Sequence, residues 1–214
     1  MFIPRHPVVE NQFCSYAEQT DTGTAGIGGV IAYAGSVVYL DADATNQEPI
    51  VKKMVYSGSP YTPFGFLMQK VKTGYHQVHP AGYYMPGDLG SSDVIAQPKY
   101  NASGTITGTK TVPVGVAHLG IWDTVHYTAV GTGTGATDIT PTAAIKPGEG
   151  LYAANDEAKV TNTDTLAANA DDLSTGECVS QTVVARVVKG ASVAKATANI
   201  ANTTLYPIRI KLLV

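Results

Sequence analysis

The chain has 214 residues, of which 44% are hydrophobic and 14% charged, and its formal net charge is −3. Soluble domains average roughly 25% charged residues, so this is a charge-poor chain, long enough for one large β domain or two small ones. The acidic balance excludes an electrostatic case for nucleic-acid binding. Cys14 and Cys178 are too few for a disulfide framework and read instead as thiols of a reducing cytosol.

Val, Ala, Ile and Thr dominate the apolar and hydroxyl content, with few Leu, and the 22 Gly and 12 Pro supply turns. β-Branched side chains suit a pleated surface and lose rotamer freedom in helices, so the balance predicts an all-β protein, a compact β-barrel or sandwich with long loops. Residues 1–24 hold two early prolines and scattered Phe2, Ile3, Val8, Val9 and Phe13 with no helical or strand period, which predicts an extended N-terminal arm. It is too apolar to remain free. Packing on its own domain is the alternative weighed, but the expectation is that residues 1–14 act as a docking arm, with Phe2, Ile3 and Phe13 as interface residues.

A strand-turn-strand theme then occurs twice. Gly35-Ser36-Val37-Val38-Tyr39-Leu40 enters a strand, reverses through polar residues, and returns as Ile50–Val55 and Phe64–Val71. Gly148-Glu149-Gly150-Leu151-Tyr152-Ala153 does the same, with Ala158–Thr161 and Thr182–Val188 as its returns. Two related β units follow from this, at 25–130 and 131–214, the first broken by a long excursion at 74–111. Excursions of that length usually have a role. This one carries Tyr75, Tyr83, Tyr84 and Met85, residue types enriched at interfaces.

Strands are expected at 112–119, at 121–127 and, running to the end, at 205–214. Residues 131–137 read as a flexible link. A short helix is expected around Leu166–Leu173 and no long amphipathic one anywhere. Met1-Phe2-Ile3-Pro4-Arg5-His6-Pro7 lacks the apolar run of a signal peptide, and no stretch reaches membrane-spanning length, so neither export nor a membrane is expected.

Chemistry finds little support. His76-Gln77-Val78-His79 has helix-like ligand spacing among helix-breaking Gly74, Pro80 and Gly82, so no metal is expected there. Asp41-Ala42-Asp43 and Asn155-Asp156-Glu157 read as turns rather than calcium loops. Gly26-Ile27-Gly28-Gly29 lacks the Lys and Ser/Thr of a phosphate loop, and no Gly-x-Ser-x-Gly elbow accompanies any serine. The expectation is a non-enzyme with no catalytic residue, cofactor or metal. Twelve Tyr against four Phe favours half-wet contact surfaces, for protein or for sugar.

Residues 115–214 resemble the small decoration, or cement, proteins of tailed-phage capsids, with an echo at 29–72. The resemblance rests on Gly120-Ile121-Trp122, Ile145-Lys146-Pro147-Gly148-Glu149-Gly150-Leu151-Tyr152, the turn Asn155–Thr161, Val183-Val184-Ala185-Arg186-Val187-Val188 and Ile208-Arg209-Ile210-Lys211-Leu212. Length, the 74–111 excursion and the Ala-rich 191–201 segment depart from that pattern. The resemblance implies a viral structural protein made in the host cytoplasm and bound outside the capsid, clamping the major capsid protein. It also implies a homo-oligomer on the lattice, a trimer ahead of other states. The alternatives are a tail tube, fibre or spike component, or a carbohydrate-binding or adhesin module.

Overall fold

A computed structural model describes residues 2–5, 10–17, 30–41, 49–56, 61–73, 93–133, 139–169, 176–200 and 205–214. In chain order these form β1 (Phe2–Pro4), β2 (Glu10–Tyr16), β3 (Val30–Ala32), β4 (Val37–Leu40), β5 (Ile50–Lys53), β6 (Pro63–Leu67), β7 (Lys70–Thr73), β8 (Asp93–Ala96), β9 (Pro98–Tyr100) and β10 (Ile106–Thr109). There follow β11 (Val112–Leu119), β12 (Ile121–Thr124), β13 (Gly131–Thr132), β14 (Thr140–Pro141), β15 (Gly150–Ala153), β16 (Val160–Thr161), β17 (Ala185–Lys189), α1 (Val193–Ile200) and β18 (Ile208–Leu212). The protein is all-β with barrel architecture, as its β-branched composition predicts.

The repeated theme is a repeated pairing. β4 lies between β5 and β6, β6 pairs β11, and β2 closes a five-stranded barrel by joining β11 antiparallel and β5 parallel. β15 likewise lies between β16 and β17, β17 pairs β18, and β18 pairs β12. The chain just beyond β12 then meets β16 through one parallel bridge, Tyr127↔Val160. Both halves therefore follow one five-strand ring topology in one strand order. Gly35 and Gly148, which open the two entry strands, both have positive φ (96° and 89°), a conformation glycine adopts without a Cβ clash.

The strand registers align the halves strand by strand. Leu40↔Val51 matches Ala153↔Val160, Tyr39↔Lys52 matches Tyr152↔Thr161, and the parallel pair Tyr16↔Val51 matches Tyr127↔Val160. The halves meet at Gly120 (φ 113°), between β11 and β12, so the first ring ends at β11. The sequence boundary at 130/131 lies ten residues further on, because β12 is the first strand of the second ring.

Cys14, Tyr16, Val38, Val51, Leu67, Val112, Val114 and Val116 fill the first barrel. Leu151, Val160, Val187, Ile208, Ile210 and Leu212 fill the second ring, and Val37, Tyr39, Phe66 and Ala117 join that second core. Strand alternation puts those four on the outer wall of the first barrel, so one ring is packed against the other through a shared apolar layer.

The expected arm is extended, and it belongs to the fold. β1 is an edge strand beside β12, with Phe2↔Thr124, Ile3↔Asp123 and Pro4↔Trp122 in register, and β2 is a barrel stave. The expected docking arm is thereby corrected: its strands pack on their own chain. The one helix among the described residues is α1, in the Ala-rich segment, where Ser192 Oγ accepts from Lys195 N at 3.5 Å as its cap. Leu166, expected in a helix, instead makes a β-bridge to Cys178. Gly131–Thr132 of the expected flexible link pairs Thr140–Pro141 as a short ladder.

Candidate docking surface

Three features could carry function: a sealed Ser–His contact, an ion triad and an exposed aromatic. Ser36 Oγ lies 3.0 Å from His126 Nε2, and the same nitrogen lies 3.0 Å from the Glu157 carbonyl oxygen. Ser36 Oγ also donates to the Glu157 carbonyl (3.1 Å) and accepts from Tyr33 N. Burial pushes the His126 imidazole down to about 3, so it is neutral, and Lys159 and Lys53 add to the push. A neutral ring whose single Nε2–H is shared between the Ser36 hydroxyl oxygen and the Glu157 carbonyl fits these contacts. Ser36 is wholly buried and His126 nearly so.

The work of this pair is to hold a strained turn. Glu157 and Ala158 sit consecutively at positive φ, 50° and 53°. That region costs non-glycine residues on the order of 1 kcal/mol each. The first ring grips the turn through Ser36, through Val37 N donating to Ala158 O (2.8 Å), and through Lys53 Nζ on the Glu157 carboxylate (3.1 Å). The turn read from Asn155-Asp156-Glu157 is thus a latch between the rings.

Asp123, 6% exposed, receives Arg209 Nε at 2.8 Å and Arg209 Nη2 at 3.2 Å, with Arg5 Nε at 2.7 Å from the other side. These guanidinium hydrogen bonds, Arg209 first, hold its carboxyl below the usual carboxylate range, and the carboxylate pushes Arg209 up. The triad fastens β1 to the outer face of the second ring.

Phe13 differs from both. It lies on β2, opposite Gly115 of β11, and is 79% exposed, the highest exposure of any large apolar side chain among the described residues. Cys14 and Tyr16 alternate with it and point into the barrel. Its cross-strand neighbour has no side chain to cover it. Counted through β11 and β18, Phe13 is the counterpart of Asp123: Val116 and Ile210 occupy matching positions, so Gly115 matches Arg209 and their partners match in turn, one residue out of step with the Tyr16 and Tyr127 bridges. One ring carries a covered ion triad at that position, and the other an uncovered phenyl ring.

A second projecting element is the hairpin of β9 and β10, which forms a two-stranded sheet of its own. Asn101 Oδ1 accepts from Ser103 N at 3.0 Å and from Thr105 N at 2.8 Å, the way a turn asparagine bonds its own backbone. Gly104, at φ 77°, donates its N–H to the Asn101 carbonyl at 3.0 Å and completes the tip beside exposed Tyr100.

The expected interface residues therefore separate. Phe2 is a core residue, its ring stacked 4.3 Å from Trp122 and 5.8 Å from Phe66. Ile3 is half-buried on β1, and Phe13 alone of the three is open to solvent. Tyr75, Tyr83, Tyr84, Met85, His76, His79 and Gly26–Gly29 lie outside the described residues. Asp41 pairs with Lys52 at 2.7 Å, as its strand-end position allows. Cys14 and Cys178 are free and buried, and burial raises both thiols, Cys178 to about 11. Among the described residues no group of His, Cys, Asp or Glu could hold a metal ion, and no helix is long and apolar enough to cross a membrane. No family model, curated protein or solved structure matches the chain.

Proposed function

We infer that this chain is a structural docking protein of a virion, a capsid decoration protein that binds the outer lattice and stabilises the head. The observation that carries the reading is Phe13. A rigid barrel stave, paired on both sides, holds a phenyl ring in water. Burying such a ring would contribute about 1.5–3 kcal/mol. A body built of two interlocked rings supports such a role, since a preorganised surface loses little entropy on docking. Many copies on a lattice multiply a modest contact by avidity. The repeat, the exposed aromatic and the motif resemblance at 115–214 point the same way.

The test mixes purified protein with expanded empty capsids of the virus that encodes it, followed by imaging and a glycan array. Regular density on the capsid exterior is the expected result. Bare capsids together with glycan binding would replace this reading with the carbohydrate one, and density on the tail would move the protein to a tube, fibre or spike.

A further inference from the structure

The outward face of the second ring carries a concentration of positive charge that the composition conceals. Strand alternation and register place its side chains in two rows across the sheet. One row runs Ile3, Asp123, Arg209, Lys189, and the next Ile121, Lys211, Arg186, Gly150, with Arg5 at the β1 end. Arg5, Arg186, Lys189 and Lys211 are exposed and Arg209 is partly so. Among the described residues five cations thus share the face by register with one carboxylate, Asp123, whose charge is taken up by Arg5 and Arg209. The whole chain is at −3, so the remainder of the molecule is correspondingly acidic.

Rows of neighbouring strands stand about 4.8 Å apart, and alternate residues along a strand about 6.8 Å apart, so these cations form a compact two-dimensional array. We propose that this face is a docking surface for an acidic protein surface, one that presents Asp and Glu side chains to Arg186, Lys189 and Lys211. The proposal rests on the docking function above and names the face and the partner chemistry. Two observations favour a protein over a nucleic acid. Ile3, Ile121 and exposed Val188 interleave with the cations, the mixture of apolar and Arg contacts found in protein interfaces. Tyr152 is the one aromatic that shares the face by register among the described residues, where single-stranded nucleic acids need successive stacking platforms. The Arg209 fork on Asp123 already shows the face matched to a carboxylate.

Labelled poly-L-glutamate and a labelled DNA duplex are titrated with the intact protein at low and at raised salt. The expected result is salt-sensitive poly-glutamate binding that exceeds DNA binding. It weakens at least tenfold in Arg186→Glu/Lys211→Glu and is unchanged in Lys99→Glu/Lys110→Glu on the hairpin, with melting temperatures matched. Arg186→Gln/Lys211→Gln serves if charge reversal disturbs the fold, and should weaken binding in the same direction. DNA binding as tight as poly-glutamate binding through the same two residues would make this a nucleic-acid face and overturn the proposal. Binding of neither polyanion, or equal loss in the hairpin variant, would also overturn it. The assay contains no capsid, so its failure leaves the lattice reading standing, and failure on capsids leaves this result standing.

Discussion

In the first ring, β2 closes the barrel with two ladder pairs to β5, Ser15↔Ile50 and Tyr16↔Val51. In the second ring closure comes down to the single bridge Tyr127↔Val160, with Thr128 N donating to Val160 O at 2.9 Å. Other groups support that bridge. The Tyr127 hydroxyl donates to Tyr206 O (2.9 Å), and Asn199 of α1 sends Nδ2 to the carbonyls of Val125 and Tyr127 (3.1 Å each). The second ring also borrows β1 as an outer strand, and its Asp123 position is locked by two arginines, whereas the matching Phe13 of the first ring is open. One topology thus serves two ends. The ring closed by its own ladder leaves an apolar side chain free for contact, and the ring closed by a bridge recruits the N-terminal strand and the helix to finish itself.

Acid should break the joint between the rings first. The unfolded chain protonates His126 near 6.5, and the folded one only near 3, so the unfolded state binds more protons across that window. Stability is therefore full above about pH 6.5 and falls as pH drops towards 3, by on the order of 5 kcal/mol. Asp123, with its lowered folded pKa, acts in the same direction below its unfolded value. Urea melts between pH 7.5 and 4 should show that slope in the wild type and a flatter one in His126→Gln. An identical slope in both would separate His126 from the latch.

The two phenylalanines of the N-terminal segment give the next largest contrast. Phe2→Ala removes a buried ring from the stack with Trp122 and Phe66, and should cost about 3–5 kcal/mol in chemical denaturation. A loss under about 1 kcal/mol would return β1 to the status of a loose arm. Asn199→Ala unties α1 from the bridge. Leaving those buried carbonyls short of a donor should cost about 1–2 kcal/mol. Amide exchange should then be faster at Thr128 than at Ala17 of the first ring. Equal exchange at the two amides would show that the single bridge is as firm as the ladder.

Much of this was legible in the chain. The glycine-led repeats marked β4 with β5 and β6, and β15 with β16 and β17, because positive-φ turns and alternating strands leave strong local patterns. The closing strands were not legible as such: β2 and the chain just beyond β12 meet β5 and β16 across long sequence separations, which no local pattern records. β1 is three residues long, too short to show a period, so Phe2 read as an interface residue. Helix α1 is written in small residues, and its alanines and its capping Ser192 were the available signals. Of the candidate surface, Phe13 could be named from sequence, but its openness to solvent follows from its outward place on β2, which only the barrel register fixes. The basic face needed the register of β1, β12, β18 and β17 to bring distant cations together.

The smallest expected effect on stability belongs to the residue with the largest expected effect on function. Phe13→Ser removes a ring that touches mostly water, so its melting temperature should match that of the wild type. The direct measurement is the occupancy of Phe13→Ser on expanded capsids, counted beside wild type at equal concentration. A fall of at least tenfold with an unchanged melting temperature is the result expected of a docking phenyl ring. Unchanged occupancy, or a loss that merely follows a lowered melting temperature, would contradict it.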